Sequence, residues 1–333
     1  MRGERADADR LCSIILAGGE GERVGPLVRR WLGHHRPKQY CAFVGTRSMF
    51  QHTVDRATRL IPGRNTVAVV AQQHEPVAVA QLDQRNVGTL ILQPQNRDTA
   101  AGIFLPLTYV RARDPRSTVV IYPSDHFVYP ESRFLDVVRQ AIAVADSLPD
   151  RVVLLGMLPD RLETDYGWIL RGAGVRVQGQ RLPVRAVQAF LEKPSLAQAD
   201  AVLAEGALWN TFVMVSKVEA LWALGMECVP DLMALFEKFQ QAIGTPKESP
   251  VLRAIYQHMP TKNFSSDLLQ RRPNCVTVME LTGVLWSDWG KPERIADSLR
   301  RLGKYPAFPL EYLNHPFAPI RKVDRRDEAA VNT

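Results

Sequence analysis

Five short, almost uninterrupted apolar runs recur through the first half of the chain: Ser13-Ile14-Ile15-Leu16, Thr66-Val67-Ala68-Val69-Val70, Leu90-Ile91-Leu92, Thr118-Val119-Val120-Ile121-Tyr122 and Val152-Val153-Leu154-Leu155. A strand with one wet face alternates apolar and polar residues, whereas a strand without a polar face must be covered on both sides. Helical periods lie between the runs. The clearest sets Phe134, Val137, Val138, Ala141, Ile142, Ala145 and Leu148 on one face, with Asp136, Arg139, Gln140 and Asp146 between them. This alternation predicts an α/β fold with a doubly wound, mostly parallel sheet.

Beyond about residue 160 the pattern loosens. A strand over Ala186–Leu191 leads through Glu192-Lys193-Pro194 into a helix near Leu196–Ala204, and a further apolar run spans Phe212–Val215. Helices are expected over roughly 218–243 and 250–258, a strand near Val276–Glu280 and a closing helix near Glu293–Leu302. No internal repeat or Pro/Ser-rich linker divides the 333 residues. The reading is one domain over 11–305 whose second half inserts around the C-terminal edge of the sheet, where open α/β sheets bind ligands. Residues 1–10 read as a flexible tail, and 306–333 as a partly flexible extension with a small helical end.

Composition narrows the class. With 46% hydrophobic and 23% charged residues and no run of 18 uncharged apolar residues, neither a disordered chain nor a membrane span is expected. The 42 Lys and Arg exceed the 35 Asp and Glu, giving +7. Those cations form no stripe with interleaved aromatics, so nucleic acid is not the expected partner. The densest group, Arg29, Arg30, Arg36 and Lys38, follows a glycine-rich turn, which suits a small phosphorylated ligand. Cys12, Cys41, Cys228 and Cys275 lack CxxC spacing, and the charged first ten residues lack the apolar core of a signal peptide. A reducing cytoplasm fits both.

The turn itself is Leu16-Ala17-Gly18-Gly19-Glu20-Gly21-Glu22-Arg23, directly after the first strand. Its glycines allow a sharp turn and close approach of backbone amides to phosphate oxygens. It lacks the third glycine of a dinucleotide-binding GxGxxG and the Lys-Ser/Thr of a Walker A loop. Arg23 and Lys38 follow where a phosphate would need a fork and a compact charge. Asp125 closes the strand Val119–Tyr122, and Asp288 lies far away within Trp286-Ser287-Asp288-Trp289-Gly290.

Nine segments in order resemble the sugar-1-phosphate nucleotidylyltransferases, most closely the mannose-1-phosphate guanylyltransferases, over roughly residues 11–305. They are Leu16–Arg23, Pro26-Leu27, Arg36-Pro37-Lys38-Gln39, Gln93–Ala100, Pro123-Ser124-Asp125-His126, Glu163–Ile169, Phe190–Pro194, Leu208-Trp209-Asn210 and Trp286–Gly290. The resemblance implies a Rossmann-like nucleotidyltransferase fold with sugar-binding insertions. It also implies transfer of GMP from GTP to mannose 1-phosphate, giving GDP-mannose and pyrophosphate by in-line attack on the α-phosphorus. Mg²⁺ or another divalent ion would be held by Asp125 and Asp288. Arg23 and Lys38 would be catalytic, orienting the triphosphate and neutralising phosphate charge. Leu16, Ala17, Gly18, Gly19, Gly21, Gln93, Asn96, Thr99, Ala100 and Asp125 would bind the nucleotide, and Gly167, Glu192, Lys193 and Asn210 the sugar phosphate. His126 is expected to be structural.

Two departures stand out. The segment Val28–His35 lengthens the loop between Arg23 and Lys38 by about four residues, which would bring His34 and His35 towards phosphates. In Trp209-Asn210-Thr211-Phe212 a phenylalanine stands where the family more often has glycine, which bears on sugar identity. The 45 residues after Asp288 show neither hexapeptide periodicity nor a cupin-like pattern, so the isomerase activity of longer bifunctional relatives is not implied. Other readings are the same chemistry with another base or sugar, such as glucose 1-phosphate, and a non-catalytic nucleotide-sugar sensor. The implied partners are GTP or another NTP and a sugar 1-phosphate, with a homodimer left open and neither nucleic acid nor membrane expected.

Overall fold

The computed structural model describes residues 10–313. Strand β1 (Leu11–Ala17) lies between β2 (Thr66–Ala71) and β4 (Thr118–Pro123) and runs parallel to both, with Ser13 opposite Thr66 and Leu11 opposite Thr118. Strand β3 (Thr89–Gln93) extends the same parallel set from β2. Alternate residues of these strands enter two separate cores. Cys12, Ile14, Val119 and Ile121 belong to one, while Ile15, Ala17, Val120 and Tyr122 belong to the other. Two-sided burial is why the apolar runs are unbroken.

The first core lies beneath α4 (Asp98–Arg113), α7 (Val218–Cys228), α8 (Pro230–Gln240) and α9 (Glu248–His258). The second lies beneath α2 (Met49–Thr58), α3 (Glu75–Leu82), α5 (Glu131–Ser147) and α6 (Leu196–Ala204). The helix expected over 218–243 is divided. Its first part ends at Cys228 and its second begins on Pro230, whose ring starts a helix readily but denies the helical conformation to Val229 before it.

The rest of the sheet is mixed. Strands β6 (Val152–Met157), β7 (Gly167–Val175), β8 (Val184–Glu192), β9 (Leu208–Lys217) and β10 (Val276–Glu280) complete the order β3-β2-β1-β4-β9-β6-β10-β8-β7. Strand β9 is antiparallel to both β4 and β6, and β8 to both β10 and β7. An apolar run reports burial on two faces and carries no direction, so reversed strands in the middle of the sheet are invisible in the periodicity. Two further strands, β5 (Phe127–Tyr129) and β11 (Leu285–Ser287), form an antiparallel ribbon beside the sheet.

The segment Val28–His35, expected as loop, is largely helical. Most of it belongs to α1 (Gly25–Leu32), which ends on Gly33 in the left-handed conformation. Leu27 and Val28 pack with Phe43, Trp289, Phe308 and with Ile295 and Leu299 of α10 (Pro292–Arg301). Val28, with Trp31 and Leu32 packed against the cluster, thus helps to build a small third core. His34 is exposed and bonds the carbonyl of Leu32, and His35 stands 3.8 Å from Glu20. Among the described residues no helix is long and apolar enough to cross a membrane. The tail expected over 1–10 and the extension over 306–333 lie, apart from residue 10 and residues 306–313, outside the described residues.

Candidate active site

The glycine-rich turn leaves the end of β1 and is held from beneath. Gln39 donates its side-chain amide to the carbonyls of Ala17 (3.0 Å) and Gly19 (2.7 Å), and the Tyr40 hydroxyl reaches Ala17 as well. With these carbonyls occupied, the turn has a fixed shape. Gly21 sits at φ 64°, and a Cβ there would lie 2.7 Å from Lys38. Glycine thus answers both the left-handed backbone and the close passage of Lys38.

Lys38 is 4% exposed and joins the two aspartates that lie far apart in sequence. Its ammonium is 2.8 Å from Asp125 Oδ2 and also donates to the backbone carbonyl of Asp288. The ribbon makes this meeting possible. Phe127 of β5 pairs with Ser287 of β11, which sets the turn bearing Asp125 beside the turn bearing Asp288.

Asp288 is buried and accepts hydrogen bonds on both carboxylate oxygens. Arg294 donates to both of its oxygens (2.8 and 3.0 Å), Tyr166 donates its hydroxyl (2.8 Å), Gly290 its N–H (2.9 Å), and Arg23 approaches at 3.2 Å. Burial alone would raise its pKa; Lys38, Arg294 and His126 outweigh it and hold the carboxyl well below the usual range. Asp125 is shifted down likewise, burial again being overcome by Lys38 and His126. Burial pushes the His126 imidazole down, and its ring packs edge-on against Trp286 at 5.3 Å.

A cavity of about 720 Å³ opens over these groups at the end of the sheet. Of the residues singled out from sequence, Leu16, Gly18, Gly19, Arg23, Gln93, Asn96, Thr99, Asp125, Gly167, Glu192, Lys193, Asn210 and Asp288 line it. Gly21 and Lys38 line an adjoining recess of about 410 Å³, which shares Arg23, Asn96 and Asp125. Ala17 and Ala100 line neither; both are buried, Ala17 contributing its bonded carbonyl and Ala100 the first turn of α4. Gln93 presses its side-chain oxygen so close to Gly18 that a Cβ there would lie 2.9 Å away. The Thr99 hydroxyl accepts from the N–H of Phe264, and Asn96 accepts from the N–H of Asp98.

On the far side, burial raises the Glu192 carboxyl. Lys193 (φ 46°) and Phe212 (φ 58°) both adopt the left-handed backbone. The Asn210 side chain accepts the Phe212 N–H at 3.1 Å, and the Phe212 ring meets Phe264 edge-on at 6.2 Å. A residue that costs about 1–2 kcal/mol in this conformation explains why glycine is the easier occupant of position 212.

Several participants escaped the sequence reading. Arg294, 5% exposed, bridges Asp288, Asp165 (3.0 Å) and Glu163 (2.5 Å) and lies over the Tyr166 ring. One signal could have found it: an arginine in the first turn of the closing helix, six residues after the aspartate of Trp286-Ser287-Asp288-Trp289-Gly290. Thr261, Asn263 and Ser265 line the cavity from the segment that leads into a short π-helix over Ser265–Leu269. Asn263 donates its side-chain amide to Asp98 (3.2 Å), and the Lys262 backbone carbonyl accepts the Ala100 N–H (3.0 Å), which fastens that segment to α4.

Asp125 and Asp288 both line the cavity, and the Lys38 ammonium lies between the Asp125 carboxylate and the Asp288 backbone carbonyl. Among the described residues no three His, Cys, Asp or Glu side chains gather closely enough to hold a metal alone. An oxygen-only set of one or two carboxylates, completed by phosphates and water, is the arrangement that Mg²⁺ favours.

A family model described as Nucleotidyl transferase matches residues 12–302. The chain belongs to the nucleotidyl transferase family. The chain is 29% identical over 287 residues to the mannose-1-phosphate guanylyltransferase of Escherichia coli K12, covering 84% of this chain and 58% of that one. It is 34% identical over 201 residues to the xanthan biosynthesis protein XanB of Xanthomonas campestris pv. campestris B100, covering 60% of this chain and 40% of that one. The solved structure of a mannose-1-phosphate geranyltransferase from Thermus thermophilus superposes with a TM-score of 0.72 at 25% identity, over 84% of this chain and 76% of that one. The chain thus spans less than two thirds of the length of these two curated relatives.

Proposed function

We propose that residues 11–305 form a catalytic unit that transfers GMP from GTP to mannose 1-phosphate. A phosphate oxygen of the sugar phosphate attacks the α-phosphorus in line, the bond to the β-phosphate oxygen breaks, and pyrophosphate leaves with that electron pair. The nucleophile is already an anion, so no general base is required. The observation that carries this reading is the Asp125–Lys38–Asp288 junction beside the glycine-rich turn, with Arg23 3.2 Å from Asp288.

Bringing two polyanions together makes charge neutralisation the main physical task. Asp125 and Asp288 would hold Mg²⁺, which when bound supplies charge compensation to the phosphates. The amides of the turn at Gly18, Gly19 and Gly21 face the triphosphate. Arg23, 51% exposed at the cavity mouth, folds onto it, and Lys38 shifts its ammonium from Asp125 to the reacting phosphate. Gln93 meets the guanine edge with an amide that can both donate and accept. Glu192 takes sugar hydroxyl protons in hydrogen bonds, while Lys193 and Asn210 receive the sugar phosphate.

Pyrophosphate release from four NTPs crossed with mannose, glucose, fucose and glucosamine 1-phosphates tests the reading, with Mg²⁺ and with chelator. The expected result is release from GTP with mannose 1-phosphate, abolished by chelator and lowered on the order of 100-fold or more in Asp125→Ala. Absence of release from every pair would refute the activity; release favouring another pair would refute the specificity.

A further inference from the structure

A second cavity, of about 390 Å³, lies behind the ribbon, away from the reaction cavity. Its floor is the stacked pair Phe127 and Trp289, whose rings are 4.4 Å apart and within 7° of parallel. Arg47, Arg56, Arg59 and Lys304 line it, and Glu131 is the one carboxylate among its lining residues. Glu131 is shared by Arg56 (3.3 Å) and Arg59. Arg47 relies on Asp55 (2.8 Å), which also binds Arg85 (2.8 Å). Two carboxylates therefore serve four arginines, and Lys304 adds a further cation.

Arg56 sharpens the imbalance. It is 3% exposed, its terminal nitrogens reach Thr53 and Glu131, and its Nε has no hydrogen-bond partner. Burying a guanidinium is costly unless charge and hydrogen bonds answer it. The arginine fork matches carboxylate and phosphate oxygens, and a concave, partly apolar wall strengthens the attraction. The volume falls within the range of small-molecule sites.

We propose that this cavity is a binding site for a small, multiply charged organic anion. Its phosphate or carboxylate head meets Arg47, Arg59 and Lys304, and its carbon body lies against the Phe127–Trp289 floor. The site does not depend on the proposed reaction. It is separated from that cavity by His126, which lines both.

Isothermal titration of the full chain with glucose 6-phosphate and, separately, with citrate tests this. At least one should bind saturably with a dissociation constant below about 1 mM; the phosphate and citrate arms tell which head group is taken. Arg59→Ala/Lys304→Ala, which alters two exposed side chains, should weaken that binding at least tenfold without lowering the thermal midpoint. Arg23→Ala, across the ribbon, should leave it within twofold. Failure of both probes to saturate would overturn the proposal. So would affinity unchanged in the double variant, or affinity lost in Arg23→Ala, which would put the probe in the reaction cavity.

Discussion

At the scale of single residues, position 212 shows a side chain retained against its backbone. Phe212 adopts φ 58° and contributes a ring to the cavity wall. Glycine would relieve the strain and open the space that the ring fills. Phe212→Gly should therefore relax sugar discrimination, raising kcat/KM for glucose 1-phosphate relative to mannose 1-phosphate about tenfold, the scale of a one-group change in a pocket. A ratio unchanged in the variant would show that the ring does not bear on the sugar. The substitution was legible in the sequence; its conformation was not, because a left-handed backbone leaves no trace when the residue is not glycine. Similarly, Gly21 stood out as a turn residue, but its passage against Lys38 depends on where residue 38 returns in space.

Among the elements, regular and capped pieces were the readable ones. Helix α6 has the expected bounds because Ser195 and Gln198 form a reciprocal capping box around its first turn. The three-residue strands β5 and β11 are too short to show a period, and β7 carries glycines at 167, 172 and 174 that read as loop. Yet the ribbon sets Asp125 and Asp288 on either side of Lys38, so the least readable elements of the site build its central junction. Helix α10 completes the arrangement through Arg294, which ties it to the segment before β7 and to the residue after β11. Removing one partner of a buried ion network leaves carboxylates uncompensated, a cost of about 3–5 kcal/mol. Arg294→Ala should lower unfolding free energy by that amount in urea titrations, whereas the half-exposed Arg23→Ala should change it by less than about 1 kcal/mol. Equal effects would mean that Arg294 does not dock the helix.

For the whole molecule, the charge of +7 has a partial location: several of its arginines gather around the cavity behind the ribbon. His52 stands in that group. Burial, then Arg47, pushes its imidazole down to about 4 from 6.5, against the opposing pull of Glu131 and Asp55. Between those values the unfolded chain holds the proton and the folded chain does not. Stability should therefore fall as pH drops from 6.5 towards 4, by up to about 3 kcal/mol from this group. His52→Gln should flatten that part of the profile in denaturant titrations at stepped pH, and an unaltered slope would rule His52 out as its source. The sheet imposes a further order on the molecule. Strands β1 to β4 and Asp125 leave the ribosome before β10, β11, Asp288 and Arg294. A growing chain can pair its first parallel strands while Asp125 still lacks its facing strand and Lys38 lacks the carbonyl that fixes it. The glycine-rich turn is made first, and the junction that gives it chemical use closes only once β11 has followed.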